Sequence, residues 1–267
     1  MVVRVLLTND DGISAAGIQA ARRAISALDG FEVSLIAPDS NRSATARSIT
    51  TRSPLWVQEV DFDDGQVGYA TDGTPVDCVR FADLGLLGER PELIVSGINH
   101  GSNLGDDVTY SGTVAAALEG IVLGIPAIAV SQQWKQGEMG YRSGDFDFTA
   151  AAEFTAALVE QVAQHGLPDG TLLNVNCPAS PPQGVEVSKL GKRIYKDELK
   201  PVEHDERRTR YEIYGYEASF HDEPGTDLSA VDAGRIAVTP LHFDLTDHPG
   251  MERLRSWDLG SLPGAGG

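Results

Sequence analysis

Short apolar segments alternate with segments of helical spacing along the first two thirds of this 267-residue chain. Residues 2–7 are mostly apolar and strand-like, and apolar residues then recur at helical spacing through residues 17–28. The next strand-like segment, residues 31–36, stops at Pro38, and the alternation continues to residue 175. Repeated strand–helix units produce a mainly parallel sheet with helices on both faces. The sequence therefore predicts an α/β fold.

The remaining elements follow from the same patterns and from turn residues. Thr74-Pro75 suits a helix start, because threonine caps well and proline fits the first turn. Asp63-Asp64-Gly65 suits the tight turn of a β-hairpin. The predicted strands are 2–7, 31–36, 55–60, 66–70, 93–96, 127–131, 172–175 and 236–239, and the predicted helices are 17–28, one beginning at Thr74, 114–123, 148–162, 227–233 and 251–259.

The chain changes character after Pro178. Charged residues cluster from about residue 185 to 226, and aromatic and polar residues alternate in Tyr211-Glu212-Ile213-Tyr214-Gly215-Tyr216. Such alternation is typical of exposed antiparallel strands, and a hairpin of this kind often pairs with a second subunit. A mobile surface excursion is the alternative. We predict a core at residues 1–180 and a C-terminal arm with a return segment at residues 181–267.

Composition excludes several classes of partner. The formal net charge of −18 disfavours a nucleic-acid backbone or an anionic membrane surface as the main partner. No apolar segment approaches the roughly 20 residues of a membrane span, so we expect a cytoplasmic protein. Cys78 and Cys177 lie in apolar segments, where buried free thiols are expected.

Asp10 and Asp11 follow the first predicted strand directly and precede Gly12. The carboxyl ends of parallel strands form the crevice in which α/β proteins bind ligands. Adjacent carboxylates repel each other unless a cation lies beside them, and oxygen ligands favour Mg²⁺, Mn²⁺ or Ca²⁺. The pair therefore suggests a metal site, with a turn and helix cap as the alternative.

Three further polar loops each follow a predicted strand. Residues 37–48 contain hydroxyls, an amide and two arginines, and residues 96–107 contain glycines that allow close approach to a ligand. Residues 110–113 open a helix, where free backbone N–H groups readily bind phosphate. Singly, each loop is compatible with ordinary turn chemistry. Together they supply oxygen ligands, anion-binding amides and arginines, as phosphate-ester hydrolysis requires.

These motifs resemble, in order and over nearly the whole chain, those of the SurE family, the survival-protein 5′-nucleotidases. The segments that carry the resemblance are Leu7-Thr8-Asn9-Asp10-Asp11-Gly12, Ala37-Pro38-Asp39-Ser40-Asn41-Arg42-Ser43, Gly73-Thr74-Pro75-Val76-Asp77-Cys78-Val79, Val95-Ser96-Gly97-Ile98-Asn99, Asn103-Leu104-Gly105-Asp106-Asp107, Tyr110-Ser111-Gly112-Thr113-Val114-Ala115-Ala116-Ala117, Leu173-Asn174-Val175-Asn176, Pro224-Gly225-Thr226-Asp227 and Pro240-Leu241-His242-Phe243-Asp244-Leu245-Thr246.

The resemblance implies a metal-dependent phosphatase for nucleoside monophosphates. Its fold would be a Rossmann-like three-layer core with a mainly parallel sheet, plus a C-terminal β-hairpin arm and a returning helix exchanged between subunits of a homodimer or homotetramer. One divalent cation per subunit, Mg²⁺ or Mn²⁺, would be held by four ligands. Carried over residue by residue, these metal ligands would be Asp10, Asp11, Ser43 and Asn99, and the phosphate would be held by Asn103, Ser111, Gly112 and Thr113.

Two positions depart from the family pattern. Ala44 stands where the family usually has glycine after the loop serine, and Ala15-Ala16-Gly17 stands in place of Ala-Pro-Gly. If position 44 needs a positive φ, alanine would cost about 1 kcal/mol and shift Ser43.

The proposed ligand set predicts hydrolysis by metal-activated water, with Asp10, Asp11, Asn103 and Ser111 as the catalytic residues. 3′-Nucleotides are a further possible substrate class, and an exopolyphosphatase or general acid phosphatase using the same site is the alternative. Asp106, Asp107 and His100 are candidates for the group that protonates the leaving oxygen. An aspartyl-nucleophile phosphatase would need alternating aspartates and a lysine near the phosphate. Here the aspartates are adjacent, and the first lysine is Lys135, late in the core. A receiver-like signalling module would need an aspartate where the central strand ends at Ser96.

Overall fold

The structure is a computed structural model that describes residues 2–134, 146–195, 197–205, 207–213 and 219–262. The strands are β1 Val3–Thr8, β2 Phe31–Pro38, β3 Val57–Asp61, β4 Val67–Thr71, β5 Leu93–His100, β6 Ala127–Gln132, β7 Thr171–Cys177, β8 Val185–Val187, β9 Arg193–Ile194, β10 Lys200–Asp205, β11 Arg208–Glu212, β12 Ser219–Phe220 and β13 Ile236–His242. The α-helices are α1 Ala16–Ser26, α2 Pro75–Asp83, α3 Gly112–Val122, α4 Thr149–His165, α5 Asp227–Asp232 and α6 His248–Arg255, and 3-10 helices lie at Gly105–Thr109 and Leu259–Ser261.

A central sheet has the strand order β3-β4-β2-β1-β5-β6-β7-β13-β8. The pairs that β1 forms with β2 and β5 are parallel, as are those between β5 and β6 and between β6 and β7. The antiparallel pairs of this sheet are β3 with β4 and β13 with β7. The predicted α/β fold with a mainly parallel sheet is confirmed. Because β2 and β5 flank β1 on opposite sides, the strand order reverses beside β1, where open α/β sheets bind ligands.

Alternate residues of each central strand contribute to two separate cores. Leu7, Val95 and Val130 pack with α1 and α4 on one face, whereas Leu6 and Ile94 pack with α2 and α3 on the other. This alternation follows from the two-residue period of a strand and explains why the central strands are apolar on both faces. Both cysteines are buried and free, as predicted.

The helix boundaries follow local capping chemistry. Thr74 caps α2 with a reciprocal capping box, which confirms the predicted start. The last helix was predicted at residues 251–259, but α6 spans His248–Arg255. The reason is that Asp247 accepts a hydrogen bond from Gly250 N and proline occupies the first turn, so the helix begins earlier than its apolar residues.

The C-terminal region contains both core and projecting elements. β13 and β8 join the central sheet, whereas β10 and β11 pair with each other as an antiparallel hairpin of largely exposed residues. Tyr214 and Tyr216 lie outside the described residues. The division into a core at 1–180 and an arm at 181–267 stays a prediction. Within the described residues, no helix is long and apolar enough to span a membrane.

Candidate active site

Asp10 and Asp11 follow β1 after one intervening residue, Asn9, at the carboxyl edge of the parallel strands. A turn fixes them there, because the Asn9 side chain accepts a hydrogen bond from Gly12 N at 3.1 Å and donates one to Gly12 O at 3.0 Å. Gly12 has a φ of 107°, a conformation that L side chains rarely adopt. The sequence Asn-Asp-Asp-Gly therefore forms a turn that presents two carboxylates at the reversal of strand order.

Among the described residues, the two carboxylates have hydrogen-bond donors but form no salt bridge with a basic side chain. Asp10 is 3% exposed, and its Oδ1 accepts a hydrogen bond from Thr113 Oγ1 at 2.5 Å. Asp11 Oδ2 accepts one from His100 N at 2.9 Å, and Asn41 Nδ2 lies 3.3 Å from Asp11 Oδ1. Within the described part of the chain, neither carboxylate forms a salt bridge with arginine or lysine. The pair is thus held in place without its charge being neutralised.

Burial raises the pKa of both Asp10 and Asp11 to about 6, from an ordinary value of 3.8. For Asp10, the nearby charge of Asp11 raises the pKa further. A cation between the carboxylates would reverse both effects, so the donor set fits a divalent metal ion. The described residues contain no group of three or more His, Cys, Asp or Glu side chains that could hold a metal. Neutral oxygen ligands would therefore have to complete the site.

Asn99 is brought to the site by an irregularity in β5. Ser96 pairs with Ala129 of β6, whereas Asn99 pairs with Ser131, so β5 contains one extra residue between these pairs. An extra residue reverses the side-chain alternation that follows it. Accordingly, Ile98 packs in the α1–α4 core, and Asn99 falls on the opposite face, the face that carries α3.

The amide of Asn99 is oriented by its own loop. Asn99 Nδ2 donates a hydrogen bond to Gly101 O at 2.8 Å, which leaves Oδ1 as the atom able to bind a cation. The bend in β5 depends on Gly97, since a Cβ there would lie 2.3 Å from Val130 O. Gly97 thus permits the close approach of β5 to Val130 of β6 at the point where the side-chain alternation of β5 reverses.

The loop that follows β2 is attached to the backbone of Asp10. Arg42 N donates a hydrogen bond to the carbonyl oxygen of Asp10 at 2.7 Å, and Ser43 N donates one to Asn41 Oδ1 at 2.8 Å. Ser43 itself is exposed, and no contact of its hydroxyl with either carboxylate is found among the described residues. The structure places this loop beside the site, and the role of Ser43 as a metal ligand stays a prediction.

Two alanines in this loop have left-handed backbones, with φ of 58° at Ala44 and 52° at Ala46. The left-handed region costs an L residue about 1 kcal/mol or more relative to glycine. The departure from glycine at position 44 therefore introduces the backbone strain that the sequence suggested.

We expect Ala44→Gly to raise the free energy of unfolding by about 0.5–1 kcal/mol, because the relieved strain exceeds the added entropy of the unfolded chain. Denaturant unfolding measures this change. As a matched control, Ala20→Gly in the middle of α1 should lower the free energy of unfolding by about 1 kcal/mol. Equal destabilisation by the two substitutions would contradict the strained conformation of Ala44.

The start of α3 faces the carboxylates. Ser111 is the N-cap, and its Oγ accepts a hydrogen bond from Val114 N at 3.1 Å, which leaves the hydroxyl proton for another acceptor. Gly112 lies against Asp10, since a Cβ at position 112 would be 2.8 Å from Asp10 Oδ2. Both the hydroxyl and the backbone N–H of Thr113 donate to the Asp10 carboxylate, so Thr113 holds Asp10 in place. The helix start can therefore bind an anion next to Asp10.

Asn103 lies on the loop between β5 and α3 and is buried. Its Nδ2 donates a hydrogen bond to Ser131 Oγ at 2.8 Å, and its backbone is bound by Asn174 and Asn176 of β7. Sequence reasoning assigned no role to these three partners. The signal was present in β7, where two asparagines alternate in an apolar strand.

The three candidates for a proton donor have different surroundings. Asp107 is buried and forms a salt bridge with Arg193 and a hydrogen bond with Tyr195 OH at 2.7 Å. His100 Nε2 accepts a hydrogen bond from Gly17 N at 3.3 Å, and burial lowers its pKa while the charge of Asp10 opposes this shift. Asp106 Oδ2 lies 3.4 Å from Arg193 N. Asp106 and Asp107 are thus both engaged in contacts with Arg193 of the C-terminal region.

Glu119 is a further residue that sequence reasoning missed. It is buried on α3 and forms salt bridges with Arg47, at 2.6 Å, and with Arg80. The Arg47 guanidinium also lies 4.6 Å from the ring centroid of Phe243. These contacts anchor the loop after β2 to α3 and to the segment after β13. A single acidic residue within the apolar pattern of residues 114–123 was the available signal.

A family model described as Survival protein SurE matches residues 5–197. The chain is 51% identical over 268 residues to the 5′-nucleotidase SurE of Rubrobacter xylanophilus, covering 97% of this chain and 99% of that protein. It is 47% identical over 260 residues to the 5′-nucleotidase SurE of Symbiobacterium thermophilum, covering 96% and 98%, respectively.

The crystal structure of the SurE protein from Aquifex aeolicus has the same fold, with a TM-score of 0.78 and 38% sequence identity. That comparison covers 94% of this chain and 98% of the Aquifex chain. The family resemblance inferred from the motifs is confirmed. With matches along nearly its whole length, the chain belongs to the survival protein SurE family.

Proposed function

We propose that this protein is a metal-dependent phosphomonoesterase that hydrolyses nucleoside 5′-monophosphates to nucleoside and phosphate. The observation that carries the proposal is the pair of buried carboxylates, Asp10 and Asp11, which lack a basic partner among the described residues and lie against the start of α3. The 5′-nucleotidase names of the relatives support the substrate class.

In this proposal, one Mg²⁺ or Mn²⁺ per subunit is held by Asp10, Asp11, Asn99 Oδ1 and the Ser43 hydroxyl. A divalent cation, when bound, neutralises phosphoryl oxygens and lowers the pKa of a water molecule. Thr113 and the backbone N–H of His100 keep the two carboxylates in position through hydrogen bonds. Burial keeps water away from Asp10 and so strengthens its attraction for a cation.

The phosphate is assigned to Asn103 and to the start of α3. The free N–H of the Asn103 amide, the Ser111 hydroxyl proton and the backbone N–H of Gly112 are proposed as the phosphate donors, and Thr113, which donates to Asp10, lies beside them. Such fixed donors stabilise negative charge on the phosphoryl oxygens, which is the main requirement of phosphoryl transfer.

The same site admits related substrates. Hydrolysis of 3′-nucleotides, exopolyphosphate cleavage and general acid phosphatase activity would all use the cation and phosphate donors, because these groups do not define the leaving group. A receiver-like signalling role has less support, since Ser96 and Gly97 occupy the corresponding part of β5.

Phosphate release from 5′- and 3′-nucleotides, short polyphosphate and a simple phosphomonoester tests the proposal. Each substrate is incubated with Mg²⁺, Mn²⁺ or EDTA. We expect the fastest release from 5′-nucleotides and its loss with EDTA. Release that is indifferent to EDTA would refute the metal-dependent mechanism, and preference for polyphosphate would favour the alternative activity.

We also propose that the C-terminal arm and return segment, residues 181–267, mediate assembly into a homodimer or homotetramer. None of the residues of α6 is buried, and apolar side chains remain exposed along the segment. These exposed side chains are Met251, Leu254, Trp257, Leu259 and Leu262. Light scattering of the full chain tests the idea, and a monomer at micromolar concentration would contradict it.

A further inference from the structure

Four buried polar residues form a connected group, here called the asparagine network: Asn103, Ser131, Asn174 and Asn176. Asn103 is 6% exposed and the other three are fully buried. They come from the loop after β5, from β6 and from β7, so the network joins three consecutive parts of the sheet edge that carries the site.

Almost every polar atom of Asn103 is held by this network. Asn103 N donates a hydrogen bond to Asn176 Oδ1 at 2.8 Å, and Asn103 O accepts hydrogen bonds from Asn176 Nδ2 at 3.0 Å and Asn174 Nδ2 at 2.9 Å. The side-chain Nδ2 donates one N–H to Ser131 Oγ at 2.8 Å. Both the backbone and the plane of the amide are therefore fixed, and the second N–H of Nδ2 has a defined direction.

The position of the two β7 asparagines argues against an ordinary packing role. Leu172 packs in the α2–α3 core, and Asn174 and Asn176 follow it at the two-residue period on the same face. Burying an amide on an apolar face costs free energy unless the amide forms hydrogen bonds. Asn174 Oδ1 has no hydrogen-bond partner among the described residues, so the contact with Asn103 O is the interaction found for that side chain.

We propose that Ser131, Asn174 and Asn176 are positioning residues, which hold Asn103 so that its free amide N–H meets a phosphate oxygen. This inference rests on the proposed function and deepens it. Preorganised donors stabilise a transition state because they need no reorientation during the reaction. A free Asn103 side chain would rotate among several rotamers and would lose that advantage.

A double-mutant cycle separates positioning from a direct contribution. We expect Asn103→Ala to lower kcat about 100-fold and Ser131→Ala to lower it about tenfold, with a smaller change in KM. If Ser131 acts through Asn103, adding Ser131→Ala to Asn103→Ala should have no further effect. An equal tenfold loss in both backgrounds would overturn the inference.

Ser188→Ala is the matched control. It removes another buried serine hydroxyl, which lies 2.8 Å from Thr239 Oγ1 and is not among the described hydrogen-bond partners of Asn103. We expect kcat to be unchanged. A loss equal to that of Ser131→Ala would show that any such cavity lowers activity, and the positioning role would then be rejected.

Two binding measurements separate this inference from the proposed function. Calorimetry should show weaker binding of inorganic phosphate to Ser131→Ala in the presence of Mn²⁺, but nearly unchanged binding of Mn²⁺ alone. Ser131 is the strand partner of Asn99, but among the described residues its hydroxyl bonds to Asn103 and not to a proposed metal ligand, and the Asn99 amide is oriented by Gly101 O. If the wild type hydrolyses no substrate, the proposed function fails, and the cycle on phosphate affinity decides the inference. A wild type that neither hydrolyses substrates nor binds phosphate would overturn both.

Discussion

Asp10→Asn is expected to lower phosphate release about 1000-fold while stabilising the metal-free protein. The substitution keeps the shape of the side chain and an oxygen that can accept the Thr113 hydrogen bond. It removes one of two carboxylates proposed to hold the cation, and neutral amides bind divalent cations more weakly than carboxylates. Activity and Mn²⁺ affinity should therefore fall together.

The gain in stability follows from the raised pKa of Asp10. Its pKa is about 6 in the folded chain and 3.8 in its ordinary state, so protonation favours the folded protein. That contribution is complete below about pH 4 and is lost as the pH rises through 6. At pH 7 the ionised carboxylate therefore destabilises the metal-free protein. The rise in the pKa of Asp10 from 3.8 to about 6 corresponds to a destabilisation of roughly 3 kcal/mol.

Denaturant unfolding of the metal-free wild type and Asp10→Asn across pH 4–8 measures this difference. The advantage of the variant should grow between pH 4 and 7, and added Mn²⁺ should reverse it by stabilising only the wild type. Asp63→Asn is the control, because it removes the same charge from an exposed turn. A variant of unchanged activity would show that Asp10 is structural.

Gly112→Ala should lower activity about 100-fold, because the added Cβ would lie 2.8 Å from Asp10 Cβ and from Asp10 Oδ2. Either the start of α3 or the Asp10 carboxylate has to move, and a displacement near 1 Å is enough to misplace the cation ligands. The measurements are kcat, KM and Mn²⁺ affinity, and we expect both activity and affinity to fall.

Gly120→Ala on the same helix is the matched control. A Cβ at position 120 would lie 2.7 Å from Ile94 Cδ1, the end of a side chain, and 3.2–3.3 Å from Ala127 Cβ and Ile125 O, so it crowds the core without approaching Asp10. Both substitutions replace a buried glycine of α3 by alanine, and only that at position 112 lies against Asp10, so a difference in activity reports this contact. Activity that is equally unaffected in both variants would show that Asp10 tolerates the extra methyl group.

Local chemistry explains why several predictions from the sequence were confirmed. The start of α2 depends on Thr74 and the residues that follow it, and the turn after β1 depends on Asn9 and Gly12. Both interactions lie within four residues, so their patterns are visible in the sequence. The position of α6 was less accurately predicted, because the cap at Asp247 has a stronger effect than the apolar spacing that was used.

The strand order could not be predicted in the same way. Alternating strands and helices predict a mainly parallel sheet, but they do not say that β1 lies between β2 and β5. That order places Asp10 next to the start of α3. There Asp10 contacts Thr113, a residue 103 positions later in the chain. Pairings over such separations depend on global packing rather than on local propensity.

The sequence by itself therefore determined the fold class, the family and most of the residues that meet at the candidate site. Only the tertiary structure showed how they are held: the extra residue in β5 that turns Asn99 towards α3, the hydroxyl of Thr113 on Asp10, and the asparagine network around Asn103. The physical reason is that strand and helix patterns arise from neighbouring residues, whereas the direction of a buried polar side chain is decided by partners that are distant in sequence.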